Sequence, residues 1–185
     1  MRSPVCSVSR AVEKGTVIEM VQPLFACSRR RGAKLCNGEI VMNDMNLLWV
    51  LGHKIRLMDT DDSYGLIEVT SLPKVPGPPP HYHKSESEFL FVAKGTLDVM
   101  RDGEWSKMVA GDFVDLPPNT VHTFINNTEE NVIWITGWRP KGFQKFFRDF
   151  GIPSNQEGAQ EKSVSEEIIQ KVMESCERYG MFVKK

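Results

Sequence analysis

The sequence has no long apolar run, almost no net charge and few cysteines, and each lack excludes a class of protein. No run approaches the ~20 apolar residues of a membrane-spanning helix, so we expect no membrane contact. A formal net charge of −1 over 185 residues lacks the excess of basic residues that binding to nucleic acid requires. Four scattered cysteines form no disulfide framework, and the N-terminus does not resemble a signal peptide. We therefore expect a cytoplasmic protein with reduced thiols.

Histidine is also scarce, but three of the four histidines lie in two short segments. The first segment contains His81, His83 and Glu88, and the second contains His122. Each of these side chains stands beside a turn signal, and only a short span separates the segments. Three imidazoles and one carboxylate are what a mononuclear divalent metal site with open coordination positions needs.

The spacing in the first segment predicts how its side chains are aimed. His81 and His83 are two residues apart, so on a strand both project from one face. Glu88 follows His83 by five residues, and on one unbroken strand this odd spacing would put the two side chains on opposite faces. Residues 84–87 must therefore bend or bulge. Glu86 competes with Glu88 for the role of the carboxylate ligand, and we rank it second.

The second segment reads as a turn followed by a strand. Pro117, Pro118 and Asn119 form the turn, since Asn tolerates the left-handed region. Residues 120–126 then alternate as a strand that contains His122. The intervening chain reads as a hairpin with its turn at residues 101–104, which would bring His122 back beside the first segment.

The two segments together resemble the paired motifs of the cupin superfamily. The first motif is Gly, a short spacer, His-x-His, three or four residues, Glu, six residues and Gly. Residues 81–95 match it, with Gly77 somewhat closer than usual. The second motif is Gly, five residues, Pro-x-Gly, two residues, His, three residues and Asn. Residues 111–126 match it, with Asn119 in place of the second Gly.

The resemblance carries expectations about fold and cofactor. It implies an all-β fold, a small antiparallel double-stranded β-helix (jelly-roll or cupin barrel), and the sequence after it predicts C-terminal helices. It implies that one divalent transition metal per chain is held by His81, His83, Glu88 and His122. Donors of this kind suit Fe, Mn, Ni, Co, Cu or Zn, and affinity order alone does not choose among them. The alternative is a barrel that keeps its ligands but holds no metal.

The chain is expected to have three parts. Residues 1–38 form an N-terminal extension in which Thr16 to Val21 is a candidate extra strand, residues 39–140 form the barrel, and residues 141–185 form a helical extension. The extension resembles the tail of quercetin-dioxygenase-like cupins, with Gly-Phe-x-x-Phe-Phe followed by a helix that closes in Tyr-Gly.

Two helices are predicted in the tail. The first carries four phenylalanines at helical spacing, at 143, 146, 147 and 150, and we favour its packing on the outside of the barrel. The alternative is a lid whose rings face the cavity. The second begins at a capping box over residues 163–166 and ends at Gly180.

The fourth histidine, His53, lies between two short predicted strands that meet at Gly52. We interpret it as a surface or pocket-rim residue without a role in the site.

The resemblance implies a metal-dependent dioxygenase that acts on an aromatic or enolisable small molecule. In this interpretation Glu88 is both a ligand and a catalytic general base. Two alternatives stay open: a redox-inert metal isomerase, lyase or hydrolase, and a non-catalytic module that binds a small molecule. An isomerase of sugar phosphates would need basic residues in the cavity, for which Lys84, Lys54 and Arg56 are the nearest candidates.

We also expect a homodimer. The apolar stripe of the last helix and the strand-like Thr16 to Val21 both need a surface to cover, and two-fold dimers are the commonest oligomers.

Overall fold

The computed structural model describes residues 33–36, 39–42 and 46–184. The chain divides into two units, residues 1–42 and 43–185. In the first, β1 (Ala33–Cys36) and β2 (Glu39–Met42) pair as an antiparallel hairpin. The candidate strand at Thr16 to Val21 lies outside the described residues.

The second unit is built mainly from twelve described strands. They are β3 (Leu47–Val50), β4 (His53–Leu57), β5 (Gly65–Ser71), β6 (His81–His83), β7 (Ser87–Lys94), β8 (Thr96–Arg101), β9 (Glu104–Val109), β10 (Phe113–Leu116), β11 (His122–Ile125), β12 (Val132–Arg139), β13 (Ile152–Pro153) and β14 (Met181–Val183). One sheet has the order β10-β7-β12-β5-β4-β3-β13, and the other has the order β14-β6-β11-β8-β9. All the pairings are antiparallel, as the predicted jelly-roll fold requires.

Alternating side chains of the strands build the core between the two sheets. In β5 every second residue is buried, and in β7 the buried face carries Glu88, Leu90 and Val92. Burying a Leu, Ile or Val side chain fully contributes about 1.5–3 kcal/mol. The buried apolar side chains of both sheets form one cluster that includes Ile67, Val69, Leu90, Val92, Leu97 and Val99.

Tight turns set the register of the hairpins. The predicted turn between β8 and β9 is present, with Asp102 and Gly103 both at positive φ (51° and 93°). Two successive positive φ values match the right-handed twist of the flanking strands. Asn119 has a φ of 70°, so it takes the left-handed conformation expected of it.

Three α-helices follow β12, with β13 between the first and second and β14 after the third. They are α1 (Gln144–Phe150), α2 (Ala159–Ser163) and α3 (Glu166–Ser175). A 3₁₀ turn (Cys176–Tyr179) continues α3 and ends at Gly180, whose φ is 82°. This end point confirms the prediction made from Gly180. None of the described helices is long and apolar enough to cross a membrane.

The predicted capping box is wrong by two residues. Ser165, not Ser163, is the N-cap of α3, and its side chain accepts a hydrogen bond from the backbone N–H of Ile168. Ser163 ends α2, and its buried hydroxyl accepts a hydrogen bond from the backbone N–H of Gly52 at 3.1 Å. The error arises because both serines satisfy the local capping preference, and only the tertiary contact to Gly52 separates them.

Candidate metal centre

Three strands bring the four predicted ligands together. On β6, His81 and His83 are buried on one face, and His81 pairs directly with His122 of β11. Glu88 lies on β7, after a bend at Lys84 and Ser85. One donor atom from each of the four residues lies within 4.8 Å of the other three. Glu86, the second-ranked carboxylate, is not part of this cluster.

Backbone carbonyl groups fix the tautomer of all three imidazoles. The Nδ1 atoms of His81, His83 and His122 lie 3.0, 3.2 and 2.9 Å from the carbonyl oxygens of Pro79, Gly180 and Thr120. A carbonyl oxygen only accepts hydrogen bonds, so each Nδ1 must carry the proton. In its neutral form each ring therefore has a free lone pair on Nε2, and this is the form that binds a metal.

These lone pairs converge on a carboxylate. Oε2 of Glu88 lies 3.1 Å from Nε2 of His122 and 3.2 Å from Nε2 of His83. Two lone pairs at such a distance repel unless a proton or a cation lies between them. Nε2 of His83 is buried and has no hydrogen-bond partner. The donor set is therefore compatible with one divalent metal ion, which would satisfy all four groups at once.

The electrostatics of the cluster give His81 and Glu88 the protonation states that a metal needs, whereas in the metal-free cluster they favour a proton on His122 that a metal would replace. Burial and the charges of neighbouring imidazoles lower the pKa of His81 to about 3, so its ring is neutral. Burial opposes ionisation of Glu88, but His122 and His83 hold its pKa well below the usual range. Burial also disfavours a charged His122, yet its hydrogen bond to Glu88 raises its pKa. Glu88 is thus a carboxylate at neutral pH.

An apolar cavity of about 70 Å³ adjoins the cluster. His81, Glu88 and His122 form part of its wall. Apart from His53 and Thr136, the rest of the wall is aliphatic and aromatic and comes from Val50, Leu51, Ile55, Ile67, Val69, Pro78, Phe124, Trp134, Trp138, Phe143, Phe146, Phe147 and Met181. None of the described residues that line it is Lys or Arg, so Lys84, Lys54 and Arg56 lie outside it.

The rings of α1 and of the residue before it face this cavity. Phe143, Phe146 and Phe147 are buried and line the wall, and the ring of Phe143 lies 4.7 Å from the ring of His83. Our preferred interpretation, a helix packed on the outside of the barrel, did not foresee these rings in the cavity wall, and their placement agrees with the alternative in which the rings face the cavity. Helical spacing marks an apolar face but does not say which surface that face covers.

The interpretation of His53 as a surface or rim residue is wrong. The side chain is buried in the cavity wall, with 4% exposure. Its Nε2 lies 3.1 Å from the carbonyl oxygen of Pro76, and its Nδ1 lies 3.0 Å from Oγ of Ser71. That Oγ in turn accepts a hydrogen bond from Nε1 of Trp134 at 2.9 Å. Burial lowers the pKa of His53 to about 4, so the ring is neutral and bridges two strands and a loop.

Two contributions to the site were not visible in the sequence. The hydroxyl group of Thr136 on β12 donates a 2.8 Å hydrogen bond to Oε1 of Glu88. Strand β14 pairs with β6 and places the carbonyl of Gly180 against His83. Neither residue occupies a motif position, and only the pairing register brings them to the cluster.

A family model matches the segment that holds the four ligands. Residues 68–138 match the family model described as the cupin domain. A curated relative, quercetin 2,3-dioxygenase of Bacillus subtilis (strain 168), is 31% identical over 74 residues. These residues cover 40% of this chain and 21% of the relative, so the match spans about a fifth of the relative's length.

Solved structures are also similar to parts of this chain. An RmlC-like cupin from Shewanella frigidimarina has 21% identity and a TM-score of 0.47, and the match covers 52% of this chain and 84% of that one. KdgF from Halomonas sp. has 21% identity and a TM-score of 0.46, with coverage of 49% and 80%.

Proposed function

We propose that this protein, a member of the cupin superfamily, is a metal-dependent dioxygenase that acts on a small aromatic or enolisable molecule. The observation that carries the proposal is a buried set of four converging donors beside an apolar cavity. His81, His83, Glu88 and His122 would hold one divalent transition metal. When bound, such a metal holds an electron-rich substrate oxygen next to dioxygen and stabilises the charge that develops. Both oxygen atoms enter the substrate, so no external reductant is needed.

The cavity wall supports a neutral and mostly apolar substrate. The four donors are buried beside mostly apolar side chains, and this low-polarity environment strengthens electrostatic interactions at the donors. A sugar phosphate would need cationic partners, and the described lining residues include no Lys or Arg. This favours the dioxygenase over an isomerase of phosphorylated sugars among the metal enzymes considered.

The size of the cavity supports a small substrate. Sites for drug-sized ligands enclose about 300–1,000 Å³. The cavity here is about 70 Å³, about half the volume of a cavity that holds benzene. A small diketone or a simple phenol would therefore need a small displacement of the cavity wall, and a flavonol would need a much larger one.

We assign to Glu88 the removal of a proton from the substrate. Its carboxylate is ionised, only 7% exposed and part of the cavity wall. Oε2 is the oxygen that faces the imidazoles and would hold the metal, so we assign proton transfer to Oε2 after it has left the metal. Removing a proton from a hydroxyl or enolisable group makes the substrate electron-rich, as reaction with dioxygen requires.

Elemental analysis of protein purified without added metal tests the first half of the proposal. We expect one redox-active ion per chain, and we expect His83→Ala or His122→Ala to lose most of it. Glu86→Gln is the matched control, because Glu86 is a nearby carboxylate outside the cluster. Full metal content in both histidine variants would show that the ligand assignment is wrong.

Oxygen uptake under air tests the second half. Small diketones, catechols and flavonols should be compared, and we expect uptake with the smaller compounds. A metal-replete protein that consumes no oxygen with any of them would shift the assignment to Lewis-acid chemistry or to a binding module.

A further inference from the structure

We propose that Thr136 is a positioning residue that commits Glu88 to hold the metal through one oxygen only, Oε2. This inference rests on the metal binding proposed above and goes beyond it, because Thr136 has no place in either motif. In this proposal Thr136 decides how many coordination positions of the metal the Glu88 carboxylate occupies.

The strand register places Thr136 beside Glu88. Strand β12 pairs with β7 so that Thr136 is opposite Leu90 and Trp138 is opposite Glu88. Thr136 is therefore the diagonal neighbour of Glu88 on the inward face, close enough for side-chain contact. Its side chain lines the cavity, is 1% exposed and donates the 2.8 Å hydrogen bond to Oε1.

The two oxygens of Glu88 have separate partners. Oε1 accepts the hydrogen bond from Thr136, whereas Oε2 faces Nε2 of His122 and of His83 at 3.1 and 3.2 Å. Turning Oε1 toward the imidazoles would break the bond to Thr136 and leave a buried hydroxyl group without a partner, which is unfavourable. The carboxylate is therefore held in one rotational state.

The hydroxyl group also stabilises the charge. An ionised carboxylate only accepts hydrogen bonds, so Thr136 must be the donor. Among the described residues, Thr136 is the one group other than an imidazole that bonds to Glu88. A carboxylate bound through one oxygen occupies one position on a metal, so the positions left by the four ligands remain open to substrate and dioxygen.

Removal and restoration of this hydroxyl group test the inference. Thr136→Val removes the donor with little change of shape, and Thr136→Ser retains it. Thr136→Ala is a second donor-free variant in case the valine does not fold. Thr123→Val is the matched control, because Thr123 is also buried but bonds to the carbonyl of Pro78 and follows His122 on the opposite face of β11.

Cobalt(II) is the probe, since its visible spectrum reports coordination number and its affinity can be measured against a chelator. We expect Thr136→Val and Thr136→Ala to weaken Co²⁺ binding by about 10–100-fold, as losses of groups that orient ligands do. The Co²⁺ spectrum should also change, because the freed carboxylate can bind through both oxygens. Thr136→Ser should restore affinity and spectrum, and Thr123→Val should leave both unchanged.

Two results would overturn the inference alone. One is parent-like affinity and spectrum in the donor-free variants, and the other is an equal loss of affinity in Thr123→Val with no spectral change. If the folded parent protein binds no Co²⁺, the proposed function fails and this inference fails with it.

Discussion

The carbonyl oxygen of Gly180 lies 3.2 Å from Nδ1 of His83, across 97 residues of chain. Directly after Gly180, β14 pairs with β6 so that Met181 is opposite His83 and Val183 is opposite His81. The last described strand therefore supports the His-x-His strand and fixes the tautomer of one of its rings. Groups that orient ligands in this way commonly matter almost as much as the ligands.

Truncation at Tyr179 should impair the metal site. It removes Gly180 and β14, so His83 loses its acceptor and β6 loses a neighbouring strand. We expect metal affinity to fall by about 10–100-fold, measured by competition with a chelator. A chain that ends at Val183 retains β14 and serves as the control. Equal affinities of the two truncated proteins would contradict the role given to the C-terminal strand.

Glu88→Gln should separate coordination from proton transfer. Glutamine keeps an oxygen donor and the size of the side chain but has neither charge nor basicity. We expect weaker metal binding and, at saturating metal, loss of oxygen uptake, because no base remains at Oε2. Turnover equal to that of the parent in a metal-replete Glu88→Gln protein would remove the base role and leave only coordination.

His53 should make the metal-free protein less stable in acid. Burial lowers its pKa from the ordinary value of 6.5, which applies to the unfolded chain, to about 4 in the folded protein. The neutral ring is thus favoured by folding, so this contribution is present above pH 6.5 and is lost as the pH falls toward 4. At 1.36 kcal/mol per pKa unit, the loss is about 3 kcal/mol at most.

Urea unfolding at several pH values measures this loss. The free energy of unfolding should fall less steeply with decreasing pH in His53→Gln than in the parent, whatever the absolute stability of the variant. His81 titrates in the same direction in both proteins, so the difference between the curves isolates His53. Parallel curves would show that His53 is not buried in its neutral form.

The homodimer remains a prediction, and α3 is the place to test it. Ile169 and Met173 are each 44% exposed on the helix whose stripe we expected to be covered, while Val172 is buried. Light scattering at micromolar concentration should give the mass of a dimer. Ile169→Asp should shift that mass toward the monomer, because it places a charge on the exposed apolar face. Gln170→Asp is the control, since it adds the same charge at a polar position, and a monomeric parent would refute the prediction.

The sequence was most informative where a local motif carries both chemistry and geometry. The odd spacing between His83 and Glu88 predicted the bend that is found between them. The hairpin from β8 to β9 is also present, and His122 lies opposite His81 as expected. Asn119, which occupies the position of a Gly in the second motif, adopts the left-handed conformation that this turn requires. In each case the physical cause lies within a few residues of its effect.

The errors and omissions all involve partners distant in sequence. His53 is buried because Ser71, Pro76 and Trp134 surround it, and Thr136 reaches Glu88 only through the register of β12 with β7. The face that the α1 rings cover likewise depends on where the helix is placed. Periodicity identifies which side chains share a face, but it does not identify the surface opposite that face.

The hydrogen bond from His83 to Gly180 also has a consequence for biosynthesis. Strands β6, β7 and β11 leave the ribosome well before Gly180 does, so a nascent chain presents three imidazoles and a carboxylate before β14 can pair. During that interval His83 lacks the acceptor that holds its Nε2 toward the other ligands. The finished metal-binding geometry is therefore a late event in synthesis, and the growing chain should capture metal less tightly than the completed barrel.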